Sequence, residues 1–261
     1  NPKVVEQNGN VVFTTSNTQI NPSDSIISGE LVSISEEGQG STSATGKKEI
    51  GEKAKGTVTI FNGLSQNKTL ASGTIFKAQN GLEFTLVQSV TINRVATHSA
   101  DEPTSPTTVT AQVSAFQIGK ESNLPSGTKF IVDSFDIADM VAKNDNPFSG
   151  GTKKEVIVVS KNDIDKLLSE LPKITEQKAK TDLTKNLSSG KKLLPVFTST
   201  NITKKDFDKN IGDQSSAVAL KGTVSYEGLS YNQNDLTAVA KNLLESKIPS
   251  DLKINYNDIK V

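Results

Sequence analysis

Twice along this chain of 261 residues, 54 positions apart, the same short phrase occurs. Leu70-Ala71-Ser72-Gly73-Thr74-Ile75-Phe76 and Leu124-Pro125-Ser126-Gly127-Thr128-Lys129-Phe130 both read L-x-S-G-T-x-F. Glycine supplies the positive φ that a tight turn often requires. The threonine then opens a strand whose phenylalanine points to a core. Two such phrases predict two equivalent corners of one β-structure, and no binding site.

The surrounding sequence fits that frame. Gly56-Thr57-Val58-Thr59-Ile60-Phe61 alternates with the period of a strand and stops at Asn62-Gly63. Asn80-Gly81 falls between Thr74-Ile75-Phe76 and Leu82 to Leu86, a hairpin signal. Val87 to Ile92 and Thr107 to Phe116 are further β-type runs, with Pro103 and Pro106 marking the loop between them. Asp133 to Met140 reads as a strand leaving a turn. Before this unit, Val4-Val5 and Val11-Val12-Phe13 flank Asn8-Gly9-Asn10 as a possible hairpin, and Ile26 to Ile34 gives another strand. Glu36 to Lys48, rich in Gly, Ser and Thr, reads as a flexible linker.

After it the period changes. Val156 to Val159 is strand-like, Ser160-x-x-Asp163 resembles a helix N-terminal box, and Ile164, Leu167, Leu168 and Leu171 follow helical spacing. Pro172 is expected to open a second helical segment that ends near Ser188-Ser189-Gly190. Leu193 to Ile202, Ala217 to Tyr226 and Leu252 to Val261 read as strands. A helix capped by Asn232 or Asn234 and ended by Pro249 lies between the last two. The predicted fold class is therefore α+β, predominantly β: an antiparallel β-rich central domain, a helical segment and a small α+β C-terminal domain. The expected boundaries are 1–48 for N-terminal strands and linker, 49–152 for the β-rich domain, 153–192 for the helical segment and 193–261 for the last domain.

Composition removes several classes of function. There is no cysteine, so disulfides, thiolate metal sites and cysteine nucleophiles are excluded. His98 is the only histidine, which rules out a multi-histidine metal site. Lysine plus arginine equals aspartate plus glutamate at 29 each, and Arg94 is the one arginine. A general polyanion binder needs surplus positive charge and favours arginine, so no specific nucleic-acid partner is expected. Aromatic residues are 5% and tryptophan is absent, leaving little material for stacking platforms on single strands or sugars.

The candidate chemical motifs break down one by one. Gly46-Lys47 lacks the spacing of a phosphate loop. Asp206-Phe207-Asp208-Lys209-Asn210 begins like a calcium loop, but Ile211 stands where its glycine belongs and Ala217 where its bidentate glutamate belongs. Asp133, Asp136 and Asp139 are a looser acidic set, best read as solvated carboxylates. Ser65-x-x-Lys68 is too short a pattern to carry weight, and Asp101-Glu102 and Glu36-Glu37 are adjacent pairs whose side chains do not face each other. Lys173, Lys178, Lys180, Lys185, Lys191 and Lys192 form a locally basic stretch, either the solvated face of a helix or a contact for an anionic polymer. No catalytic, cofactor-binding or metal residues are expected.

An ordered set of short motifs resembles the baseplate J-like domain family. These are Gly56 to Asn62 with Gly63, Leu70 to Phe76 with Gly73 and Thr74, and Gly81-Leu82-Glu83-Phe84. Then come Gly119 with Asn123-Leu124-Pro125-Ser126-Gly127-Thr128, and Asn146-Pro147-Phe148-Ser149-Gly150-Gly151-Thr152. The resemblance covers about 50 to 165 well and 193 to 261 only weakly, and it departs after Gly151, where Thr152-Lys153-Lys154-Glu155 leads into an apolar run. It implies a turn-and-strand-start role for Gly56, Asn62, Gly63, Gly73, Thr74, Gly81, Asn123, Gly127, Thr128, Asn146, Pro147, Gly150 and Gly151.

The resemblance also implies mechanical work without catalysis: a rigid β-module joined to other protein subunits, to surface proteins or to further copies of itself. No stretch reads as a signal peptide or approaches the ~20 apolar residues of a spanning helix. The chain opens with Asn1-Pro2, so any membrane anchor is expected to lie upstream. The expected setting is a bacterial cell surface, with a phage tail or injection-machine baseplate as the alternative. A β-rich cell-wall-active enzyme is the third reading.

Overall fold

The computed structural model describes residues 6, 8–16, 22–95, 106–246 and 248. The segments around Val4-Val5, His98, Asp101-Glu102, Pro103, Pro249 and Leu252 to Val261 lie outside the described residues. In chain order come β1 (Val12–Thr14), β2 (Ile26–Ser43), β3 (Gly46–Ile50), β4 (Lys53–Asn62), β5 (Lys68–Leu70), β6 (Ile75–Ala78), β7 (Glu83–Leu86) and β8 (Val90–Ile92). Then follow β9 (Thr107–Ile118), β10 (Lys129–Val132), β11 (Met140–Lys143), β12 (Lys154–Val158), α1 (Lys161–Asn186), β13 (Lys191–Phe207), β14 (Ala217–Asn232) and α2 (Gln233–Glu245). The architecture is α+β with strand predominating, as the sequence predicts. The chain forms two compact units, one of residues 47–156 and one of residues 1–46 with 157–261.

The unit of 47–156 holds a closed antiparallel barrel in the order β10-β11-β4-β9-β7-β6. Its two halves repeat. In the first, β6 pairs with β7 so that Phe76 faces Phe84; in the second, β10 pairs with β11 so that Phe130 faces Ala142. Each half then closes on the other half's long strand. Phe84 of β7 faces Ala115 of β9, and Ala142 of β11 faces Ile60 of β4. The long strands β4 and β9 pair with each other, and β6 pairs with β10. The repeated phrase therefore marks a pseudo-two-fold relation that runs through the whole barrel. Alternate residues of the strands point inward, and Val58, Ile60, Phe76, Phe84, Val113, Ala115, Phe130 and Val132 make a continuous core. Phe84, Phe130 and Phe148 stack and edge-pack on one another with ring centres 5.0–5.6 Å apart.

Outside the barrel, β3 pairs with β12, so the chain enters and leaves this unit side by side. Exposed ion pairs Lys47–Glu155 (2.8 Å) and Lys153–Glu49 (2.7 Å) tie the two segments together.

The other unit is a four-stranded sheet in the order β1-β2-β14-β13, with α1 on one face. Here the structure corrects several expectations. The stretch expected to be a flexible linker from Glu36 to Lys48 belongs to β2, an 18-residue strand, and to β3. Its glycines answer to tertiary packing. Gly38 faces Gly222 across the strand pair, and a Cβ at either would strike α1, at 2.4 Å from Thr175 Cγ2 and 2.6 Å from Leu171 Cδ2 respectively. Glycine at both positions lets the helix lie close to the sheet. Because β2 pairs with β14 from Gly29 to Ser43, the described residues after 193 form no separate domain; β13 and β14 complete a sheet begun near the N-terminus.

Helix α1 is capped by Ser160 and Asp163 in a reciprocal box and runs unbroken for 26 residues, about 39 Å. Pro172, expected to open a second segment, lies inside it. Leu167, Leu171, Thr175, Ala179 and Leu183 form its buried stripe, of which Leu167, Leu171 and Ala179 pack with Val218, Leu220, Val224 and Tyr226. Packing of this stripe holds the helix through the proline, which by itself removes one backbone hydrogen bond. The Tyr226 hydroxyl donates to the Pro172 carbonyl (2.5 Å) and lies 2.6 Å from Thr175 Oγ1. Asn232 caps α2 through its side chain to the Asn234 amide.

Candidate functional site

The residues singled out by sequence gather at the turns of the barrel. At one corner Gly73 has φ +88° and the Thr74 hydroxyl donates to the Ala71 carbonyl at 2.7 Å. At the other, Gly127 has φ +81° and the Thr128 hydroxyl donates to the Pro125 carbonyl at 2.8 Å. The Gly73 amide donates to the Leu86 carbonyl, and the Gly127 amide to the Asn144 carbonyl. The two corners thus share backbone, side-chain and strand-to-strand bonding, and Phe76 and Phe130 are buried at equivalent places.

The remaining motif residues are also spent on structure. Asn123 and Gly151 form a closed pair: Asn123 Nδ2 donates to the Gly151 carbonyl (3.0 Å) and the Gly151 amide donates to Asn123 Oδ1 (2.8 Å). A side chain at Gly151 would strike the Gly119 carbonyl at 2.2 Å. Gly150 has φ +85°, and the Asn146 carbonyl accepts from Asn144 Nδ2 at 3.0 Å. Pro147 is exposed between them. Gly56 lies under the ring of Phe148.

Asn62 ends β4 without forming a two-residue hairpin. It is fully buried, donates to the Gln66 and Asn93 carbonyls and accepts from the Leu64 amide, while the Gly63 amide donates to the Asp139 carbonyl. Gly81, by contrast, sits in the short turn joining β6 to β7, with φ +86° and its amide on the Ala78 carbonyl.

Sequence reasoning missed Asn144. Its side chain is buried, donates to the Pro125 and Asn146 carbonyls, and leaves Oδ1 without a partner among the described residues. A lone asparagine after a strand carries no pattern by which to find it.

The acidic stretches do not converge. Among the described residues no three of His, Asp and Glu could hold a metal ion together. Asp208 accepts from the Ala219 amide and Asp213 from the Asn210 amide, so both carboxylates serve their own loops. Asp136 accepts from the Ala138 amide, and Asp133 stands at a turn with φ +48°. The basic stretch of α1 is largely paired: Lys178 with Glu36 and Asp182, Lys180 with Glu176, and Lys185 with Asp182. Glu36 is buried, and its hydrogen bond to Lys178 is the main reason that the lysine's pKa rises above its ordinary value. A shallow depression lined by Ile50, Gly51, Glu52, Thr152, Lys153 and Lys154 borders the paired entry and exit strands. Glu52 and Thr152 are occupied there in backbone bonding to each other. Among the described residues no helix is long and apolar enough to cross a membrane.

No curated protein matches the chain. The stretch from residue 57 to residue 151, which carries nearly all of the closed barrel, matches the family model of the Baseplate J-like protein barrel domain.

Proposed function

We propose that this protein is a non-enzymatic structural module that holds other protein subunits in place. One observation carries the reading: the polar side chains of the family-like motifs are committed to their own backbone. Asn62, Thr74, Asn123 and Thr128 each bond main-chain groups of the same barrel. A catalytic site needs polar groups turned toward a substrate. Here they stiffen turns, and the interior they enclose is filled by phenylalanine rings. The matched barrel domain supports assembly work of the kind done in tail baseplates.

Within that reading the protein is exported and works at a bacterial cell surface. Freedom from cysteine and richness in Ser, Thr and Asn support an exported setting. Immunogold labelling of thin sections of native cells tests it: label on the envelope is expected, and label confined to the cytoplasm would reject it. The family match equally favours a wedge subunit of a phage tail or injection machine. Co-purification with sheath and tube proteins would decide for that second reading. Purified protein is expected to show no turnover of cell-wall polymers, and turnover abolished by replacing one carboxylate would overturn the non-enzymatic reading.

A further inference from the structure

We propose that strand β2 is a two-fold self-pairing edge, through which a second copy of this chain adds to the sheet. The two outer strands of the sheet differ in how their free sides are treated. Strand β13 carries Pro195, lysines 191, 192, 204 and 205, and three breaks in its register with β14. These are the usual devices that keep an edge from pairing. Strand β2 has none of them. It contains no proline, lysine or arginine, and its register with β14 runs unbroken from Gly29 to Ser43. Among the described residues its outer side is paired only by β1, over Ile26 to Ser28.

The sequence of that open edge is nearly symmetric about Gly38. It reads Ser33-Ile34-Ser35-Glu36-Glu37-Gly38-Gln39-Gly40-Ser41-Thr42-Ser43. Antiparallel pairing with a second copy about Gly38 sets Ser33 opposite Ser43, Ser35 opposite Ser41 and Glu37 opposite Gln39. On the other face it sets Ile34 opposite Thr42 and Glu36 opposite Gly40. No two charges of one sign meet, and the hydroxyl pairs can hydrogen-bond across the strands. Moving the centre to Glu37 sets Glu37 against Glu37, and moving it to Gln39 keeps only Ser35 against Ser43, so pairing about Gly38 is the register that holds two serine pairs and avoids like charges.

The helix face agrees with this arrangement. Helix α1 sits between β2 and β14, since Leu171 reaches both Gly38 and Gly222. With strands about 4.8 Å apart, the two copies of α1 would lie about 10 Å from each other, within the spacing of packed helices. Ile174, which lies over Gly40 and is 53% exposed, would then be covered near the two-fold axis. The balanced net charge of the chain adds no long-range repulsion.

The test is the mass of the whole protein by analytical ultracentrifugation across a concentration series. The expected result is a species of twice 27.8 kDa. Ser35→Lys with Ser41→Lys sets lysine against lysine twice in the interface and is expected to weaken the dimer about tenfold or more. Ser35→Lys with Ser41→Glu sets lysine against glutamate twice and is expected to retain it. Ser35 and Ser41 are both exposed, so circular dichroism should be unchanged in either variant. A wild-type protein that stays monomeric up to about 1 mM, or a dimer that treats the two double variants alike, would overturn the proposal.

Discussion

Gly56 and Phe148 occupy one space between them: a Cβ on Gly56 would stand 1.9 Å from Phe148 Cδ1. The ring cannot retreat easily, because it is stacked on Phe130 and edge-packed on Phe84. Gly56→Ala therefore forces the aromatic cluster apart and should cost about 1–3 kcal/mol, the usual penalty of overpacking a core. Gly73 offers the contrast. A side chain there meets nothing within 4 Å, but the backbone sits at φ +88°. Gly73→Ala should cost about 1–2 kcal/mol through backbone strain alone. Urea unfolding measures both, and the near-ultraviolet dichroism of the phenylalanine cluster should change only in Gly56→Ala.

Tyr226 joins the sheet to the proline turn of α1. Its hydroxyl bonds the Pro172 carbonyl and Thr175, and burial pushes its pKa above the ordinary tyrosine value. Tyr226→Phe keeps the ring against Phe197 but removes both of these hydroxyl bonds, while Thr175 keeps its bond to the Leu171 carbonyl, for a loss of about 1–2 kcal/mol. Thr175→Val removes the other side of the same contact. If the two act through one network, the double variant should lose less than the sum of the singles. Additive losses in thermal unfolding would show that they act apart.

The sequence signals that could be read are those whose cause is local. Gly73 and Gly127 are required by their own φ angles, and Thr74 and Thr128 bond carbonyls three residues back, so the repeat announces itself without knowledge of the fold. The Ser160 and Asp163 cap is local in the same way. Strand β2 defeats such reading because its cause is distant. Gly38 and Gly40 look like linker residues, yet Gly38 makes room for Thr175, more than 130 positions away. The serines that alternate with them face water on the uncovered side of the sheet. Pro172 misleads for a related reason: a proline stops an isolated helix, but here Leu167, Leu171 and Ala179 bury one stripe across it. Asn62-Gly63 has the letters of a hairpin, while the burial of Asn62 ties it to Gln66 and Asn93 instead.

The pseudo-two-fold relation of the barrel makes a quantitative claim about paired substitutions. Thr74→Ala and Thr128→Ala each remove one hydroxyl bond to the carbonyl three residues earlier, at 2.7 and 2.8 Å, from exposed positions. Each should cost about 0.5–1.5 kcal/mol, and the two costs should agree within error. The sites lie in different halves, so the double variant should lose the sum. Denaturant midpoints of the two singles and the double check this. A large cost at one corner with none at the other would mean that the halves share a chain path without sharing energetics.

Acid should loosen the start of α1 first. Asp163 accepts from the Thr45 hydroxyl (2.6 Å), the Ser160 amide (2.8 Å) and the Thr45 amide (3.0 Å). The Thr45 side-chain bond is the largest cause, followed by the Ser160 amide, of a pKa held well below the ordinary aspartate range. A group whose folded pKa is depressed contributes stability that is fully present above its unfolded value. That contribution starts to fall near pH 4, where a free aspartate titrates, and goes on falling until the folded pKa is passed. Thr45→Ala should raise the folded pKa and shorten this acid limb. Asp163→Asn should remove the carboxylate's share of the limb and lower stability at neutral pH. Chemical denaturation at a series of pH values from neutral to strongly acid tests both. If Asp163→Asn leaves the slope of stability against pH unchanged below pH 4, the bonds from Thr45 and Ser160 do not hold the charged form in the folded protein.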